Sequence, residues 1–442
     1  MKKVLFNLTD FKYYKVAAAG WLNRFIGAIC QIVSISIALN YLGISNYAIF
    51  AIILGLQNWF TLTDLGFGFS LQNYVSEAKA KQEDMTALFN NSALAICIIF
   101  AIVATIFCVI SPWLQYFLLR NIAPNLATSK YYFLIFIGLI LIGINVFGIG
   151  YKIFIGKQKG YLMYNYQTFA YLIGLLDIIL VSKFNVGAES SKTFSMLVGW
   201  LSPSLIFSLA CFFKCFKFNK IFAMIDFKII KKILQRGIKF WIFNIIVAFA
   251  LMSDYLIISQ TLNNEHIAIY NILAKSFALI FFIYSAVLTG LWPVLAELFV
   301  QKNKQKANNL IKKNLYLGFF VIIICTLIFL LFKNMLITIL APKSNLLLPA
   351  SGILLFGIYY LLRTWVDTYA TALLSQNSFK VFWISSSLQA IISVSGMYFF
   401  SLFYGLNGII YGLILSLIVT AIWMLPRAYY KNDNNVNLPE TK

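Results

Sequence analysis

The sequence predicts an all-α polytopic membrane protein of about twelve transmembrane helices, built as two six-helix lobes around a central cavity. Three observations predict it. First, 61% of its 442 residues are hydrophobic and 11% charged, with mean hydropathy +0.84. A soluble domain carries about 25% charged residues, so this chain has too little polar surface to cover a globule in water. Second, apolar runs of helix-spanning length recur from end to end, and about 20 apolar residues cross a bilayer as a helix. Third, the basic residues fall on alternate connections, as they do when one side of the bilayer retains them.

The runs place spans near 16–42, 46–75, 88–110, 131–155, 161–182 and 193–213 in the first half. The second half gives 238–260, 267–292, 314–333, 350–375, 380–402 and 405–426. The N-terminal lobe is then 1–213, a basic cytoplasmic linker covers 214–237, and 238–442 forms the C-terminal lobe with a short tail. The start "MKKVLFNLTDFKYYK" is basic but interrupted by Asn7, Asp10 and Lys12, so no cleavable signal is expected. The six cysteines lie in or beside apolar runs without CxxC spacing, and read as small buried hydrophobes.

Counting Lys and Arg by side puts twenty-six with the two termini and six on the opposite side, with Arg24, Lys275 and Arg363 inside spans. That asymmetry sets both termini in the cytoplasm and makes the net charge of +21 a matter of topology. Nucleic acid is not implied as a partner; the bilayer is. The segment "FKCFKFNKIFAMIDFKIIKKILQRGIK" reads either as an amphipathic helix on the cytoplasmic surface or as a plain basic linker.

A shift of 220 residues aligns the halves: Trp21 with Trp241, "YAIF" (Tyr47–Phe50) with "IAIY" (Ile267–Tyr270), and Glu77 with Glu297. "GKQKGY" (Gly156–Tyr161) falls on "QNSFKV" (Gln376–Val381). Six spans per half keep both repeats in one orientation, the parallel duplication typical of secondary transporters that rock about a site between lobes.

Ionisable residues inside spans cost about 2.5–3.5 kcal/mol each at a helix centre, so each must face protein or water. With a rise of 1.5 Å per residue, Arg24 lies about 13 Å and Asp64 about 20 Å from the same side, close enough in depth to pair. Asp254 and Lys275 share a depth near the other side, and Arg363 and Asp367 are one helical turn apart. Two readings stand. Either these are neutralised pairs that lock helices together, or Arg24, Lys275 and Arg363 line the cavity and hold an anionic substrate while Asp64, Asp254 and Asp367 gate or couple. No cofactor is implied beyond an H⁺ or Na⁺ gradient. Gly66 and Gly68, and Gly290 and Pro293 in the corresponding part of span 8, serve either as hinges or as sites of close packing. The lone His266 reads as a solvated loop residue.

No phosphate-binding loop, HExxH or metal-spaced His/Cys set supports an enzyme or a metal site. "TDLGFGFSLQNYVSEAKA", "SDYLIISQTLNNEHIAIYNILAK" and "WPVLAEL" followed by a basic loop resemble motifs of polysaccharide flippases of the Wzx type. Those flippases belong to the multidrug/oligosaccharidyl-lipid/polysaccharide exporter superfamily. The resemblance implies export of an undecaprenyl-diphosphate-linked O-antigen or capsule repeat unit to the periplasmic leaflet by alternating access. It further implies a cationic cavity, to which Arg24, Lys275 and Arg363 would contribute, and working contact with a polysaccharide polymerase and chain-length regulator. A drug exporter of the same superfamily would favour an anionic cavity. A lipid II flippase would carry two further spans, and a polysaccharide polymerase a large outer loop.

Overall fold

In hydrocarbon, a backbone can satisfy its N–H and C=O groups only within its own helix, so each long apolar run has one available structure. The computed structural model describes residues 8–124, 131–157, 159–186, 191–216, 226–301, 303–340, 346–376 and 380–435, and these are almost wholly helical. In chain order they form α1 (Leu8–Gly55), a 3-10 segment (Leu56–Asp64), α2 (Phe67–Lys81), α3 (Thr86–Leu119), α4 (Tyr131–Phe147) and α5 (Ile149–Gly156). Next come α6 (Gly160–Lys183), α7 (Lys192–Cys215), α8 (Phe227–Leu251), α9 (Asp254–Thr261) and α10 (Asn264–Val300). Last are α11 (Lys304–Leu331), α12 (Lys333–Leu340), α13 (Ala350–Ser375), α14 (Lys380–Val419) and α15 (Ala421–Asn435).

Among the described residues, nine helical segments are long and apolar enough to cross a membrane. The difference from twelve has a structural source. Expected spans 1 and 2 share one helical segment, Ala19–Asp64, and spans 11 and 12 share Lys380–Lys431. Helix runs through their expected turns, interrupted only by Gly43 (φ 71°) and Gly405 (φ 55°). Span 10 is the 26-residue α13, outside the nine.

Lipid-facing stripes are plain on the outer helices. Ile98, Ile102, Ile106, Val109 and Trp113 of α3 recur at helical spacing and are all exposed, an apolar band that water would not tolerate. The contacts divide the chain into two units, Met1–Ile245 and Ile246–Lys442, with the boundary inside α8. In the first unit, Phe67, Leu71 and Val75 form an i,i+4 stripe on α2 that enters a core with Ile96, Val146, Ile153 and Phe212. Ile230 and Ile233 of α8 complete that core. The first half of α8 is therefore a packed element of this unit.

The second unit is built around stacked aromatics. Phe277 of α10 lies face to face with Phe356 and Tyr360 of α13 at 5.6 and 5.9 Å. Phe281 and Tyr284, one and two turns on, continue the contact.

Candidate functional site

In the first unit, span 2 is not one helix. After the 3-10 segment, Leu65 (φ 51°) and Gly66 (φ 70°) both adopt left-handed conformation, and α2 starts afresh at Phe67. Asp64 stands at that break rather than on a helix face. Its Oδ1 accepts the Gly66 amide at 2.8 Å and its Oδ2 the Gly68 amide at 3.2 Å. The carboxylate thus fills two of the four orphan donors at a helix start, where the partial positive charge also favours an anion.

The cation facing Asp64 is Lys152 of α5, in place of the Arg24 pairing expected from depth. The depth arithmetic failed because it assumed an unbroken rise from Asp64 to Glu77. Arg24 lies on α1 beside Asn23, whose side chain joins Gln167 at 3.3 Å and Thr168 at 3.0 Å on α6. A Cβ at Gly68 would stand 2.8 Å from Asp64 Oδ2 and 3.3 Å from Cγ of Lys152. Gly68 is where the carboxylate and the lysine stem close over the helix.

The break is also where α8 docks. A Cβ on Gly66 would run into the carbonyl oxygen of Gly237, and one on Gly237 would stand 3.0 Å from that of Gly66. The Trp241 indole donates to the Leu62 carbonyl at 2.8 Å. Further along, Arg236 pairs with Glu77 at 2.8 Å and lies 5.0 Å from the Tyr74 ring centre.

In the second unit, α10 runs unbroken across Gly290 and Pro293, whose side-chain surroundings lie outside the described residues, as does the side chain of Glu297. Asp254 opens α9, and the Tyr270 hydroxyl on α10 donates to its Oδ2 at 2.7 Å. Asn271 donates to the Tyr255 hydroxyl at 2.6 Å, a second tie between the same two helices. Lys275 acts on Asp254 from the following turn of α10. On α13, Arg363 and Asp367 pair at 3.1 Å as their i,i+4 spacing requires. The guanidinium also lies 5.1 Å from the Phe281 ring centre and beside the Tyr359 hydroxyl. Tyr359 thus stands against the Arg363–Asp367 pair on the same helix.

The structure thus pairs Arg363 with Asp367 and ties Asp254 to Tyr270 in the second unit, and joins Asp64 to Gly66 and Gly68 in the first. Sequence reasoning missed Lys152, which lies within the expected span 131–155. It also missed Tyr270 and Tyr359, whose hydroxyls carry no charge to flag them in an apolar run.

Residues 20–299 match a family described as polysaccharide biosynthesis protein. The chain belongs to that family. Two relatives are named for O-antigen export in Yersinia pseudotuberculosis and for O-antigen transport in Salmonella typhi. The first is 30% identical over 94% of this chain and 95% of its own length. The second is 34% identical over 94% and 96%. Among solved structures, an inward-facing multidrug resistance transporter of the MATE family superposes with TM-score 0.76 at 13% identity, covering 93% of this chain and 96% of its own. The lipid II flippase MurJ in an inward closed conformation gives TM-score 0.67 at 14% identity, covering 95% and 88%. This chain thus shares the fold of those two proteins. The chain is a multi-pass membrane protein of that fold.

Proposed function

We propose that this protein flips an undecaprenyl-diphosphate-linked oligosaccharide repeat unit from the cytoplasmic to the periplasmic leaflet of the bacterial inner membrane, for O-antigen-type polysaccharide synthesis. The observation that carries this reading is similarity along nearly the whole chain to relatives named for O-antigen export and transport. A drug-exporting function has support only from fold neighbours at 13–16% identity.

Physical chemistry favours the same reading. A diphosphate cannot cross hydrocarbon without cationic partners, and Arg24, Lys275 and Arg363 are membrane-embedded cations suited to that role. Of the carboxylates, Asp254 accepts from Tyr270 and Asp367 pairs with Arg363, arrangements that can exchange H⁺ or Na⁺ as the partner turns to substrate. Asp64, bound to backbone, fits a gating role better than an ion-exchanging one. Both termini face the cytoplasm on this reading, and the polymerase and chain-length regulator act on the product.

The test is deletion and complementation, reading surface polysaccharide and the leaflet in which the lipid-linked repeat accumulates. Accumulation on the cytoplasmic leaflet in the deletion strain, reversed by the intact chain, is expected. Normal surface glycan in a deletion strain without a redundant flippase would sink the proposal.

A further inference from the structure

Lys152 lies near the end of a membrane-crossing segment, with its ammonium against an aromatic ring. It stands on α5 within the membrane-crossing segment Phe133–Gly156, and its ammonium lies 4.0 Å from the centre of the Phe69 ring. Phe69 lies in turn 6.2 Å from Phe240 of α8, centroid to centroid. Both rings are 39% exposed, although Phe67, two residues earlier, is wholly buried in the core. One turn of α2 therefore sends Phe67 inward and presents Phe69 outward beneath a lysine.

Asp64 is the nearby carboxylate, and each of its oxygens accepts a backbone amide, from Gly66 and from Gly68. A ring face attracts an ammonium by about 0.5–2 kcal/mol but accepts none of its three N–H donors in the ordinary way. Among the described residues, no hydrogen bond from Lys152 is found, which leaves donor capacity for an anionic oxygen.

We propose that Lys152, with the adjoining rings of Phe69 and Phe240, forms a headgroup subsite in the first unit. The ammonium takes a phosphate oxygen of a polyprenyl diphosphate, and the exposed rings carry the apolar C–H face of the first sugar. The subsite rests on the flippase reading above and adds to it a cation and an aromatic platform. The competing role for Lys152 is that of a simple counter-ion to Asp64.

Binding by the full-length protein in lipid nanodiscs separates these roles, with polyprenyl diphosphate, the same lipid bearing one sugar, and the uncharged polyprenol as probes. Lys152→Met is expected to weaken binding of the diphosphate lipid at least tenfold and to leave the polyprenol unchanged, while Lys152→Arg retains most of the affinity. The double variant Asp64→Asn/Lys152→Met removes both charges, and binding is expected to stay weak. Phe69→Leu and Phe240→Leu, which keep apolar volume without a ring, should lose affinity for the sugar-bearing lipid and not for the bare diphosphate. Wild-type affinity in Lys152→Met, its recovery in the double variant, or equal loss for the polyprenol each overturns the subsite. Failure of the unaltered protein to bind any diphosphate lipid overturns the flippase reading itself.

Discussion

Gly66 and Gly237 meet backbone to backbone, so that a side chain on either would press on the other's carbonyl oxygen. The contact joins the break in span 2 to the first half of α8. Gly66 is also left-handed, a conformation that costs an L-residue about 1–2 kcal/mol. Gly66→Ala should therefore destabilise by roughly 2 kcal/mol or more, strain and displacement adding. Gly237→Ala, with ordinary helical backbone, should cost less. Thermal unfolding in detergent checks both, and a neutral Gly66→Ala would show that the break is not fixed in this form.

Asp64 secures the start of α2 through two amides. Asp64→Ala orphans both and should cost about 1–2 kcal/mol, the usual loss of a helix cap. Asp64→Asn keeps an acceptor oxygen and should recover part of that. The comparison is made by unfolding; equal stability of all three proteins would remove the capping role.

Arg363 and Asp367 hold one another on α13. If the guanidinium also holds substrate, Arg363→Ala abolishes complementation with protein levels unchanged. Reversing the pair, Arg363→Asp with Asp367→Arg, should keep the ion pair and the folded protein without restoring export. Full complementation by Arg363→Ala would show that the cation is structural only.

Tyr270 donates to Asp254 at 2.7 Å. Tyr270→Phe removes that donor and should destabilise by about 1–3 kcal/mol, the range for leaving a buried group without its partner. Asp254→Asn keeps an acceptor for the hydroxyl and should be milder in stability. It should nonetheless remove any response of transport to an imposed ion gradient. An unchanged gradient response in Asp254→Asn would take the carboxylate out of coupling.

Much of this architecture was legible because lipid permits few structures. Runs of apolar residues had to be helices, and Arg363 and Asp367 had to meet because 3.6 residues make a turn. Asp64 was misread for the same reason in reverse. A helical ruler was laid through Leu65 and Gly66, where the backbone turns left-handed, and it pointed to Arg24 instead of Lys152. The Tyr270–Asp254 bond links separate helices across a non-helical turn, a distance no single-helix periodicity can measure.

That α8 gives most of its length to the first unit and its last six residues to the second bears on how the chain is made. The first unit lacks Ile230, Ile233, Gly237 and Trp241 until translation has passed them, so its core stays incomplete when α7 has already been inserted. Cutting the gene in the basic stretch after Cys215 would yield an N-terminal fragment with an open seam along α2. Cutting after α8 would give a fragment that carries its own closure, and co-expressed halves divided there are the ones to try for reassembly.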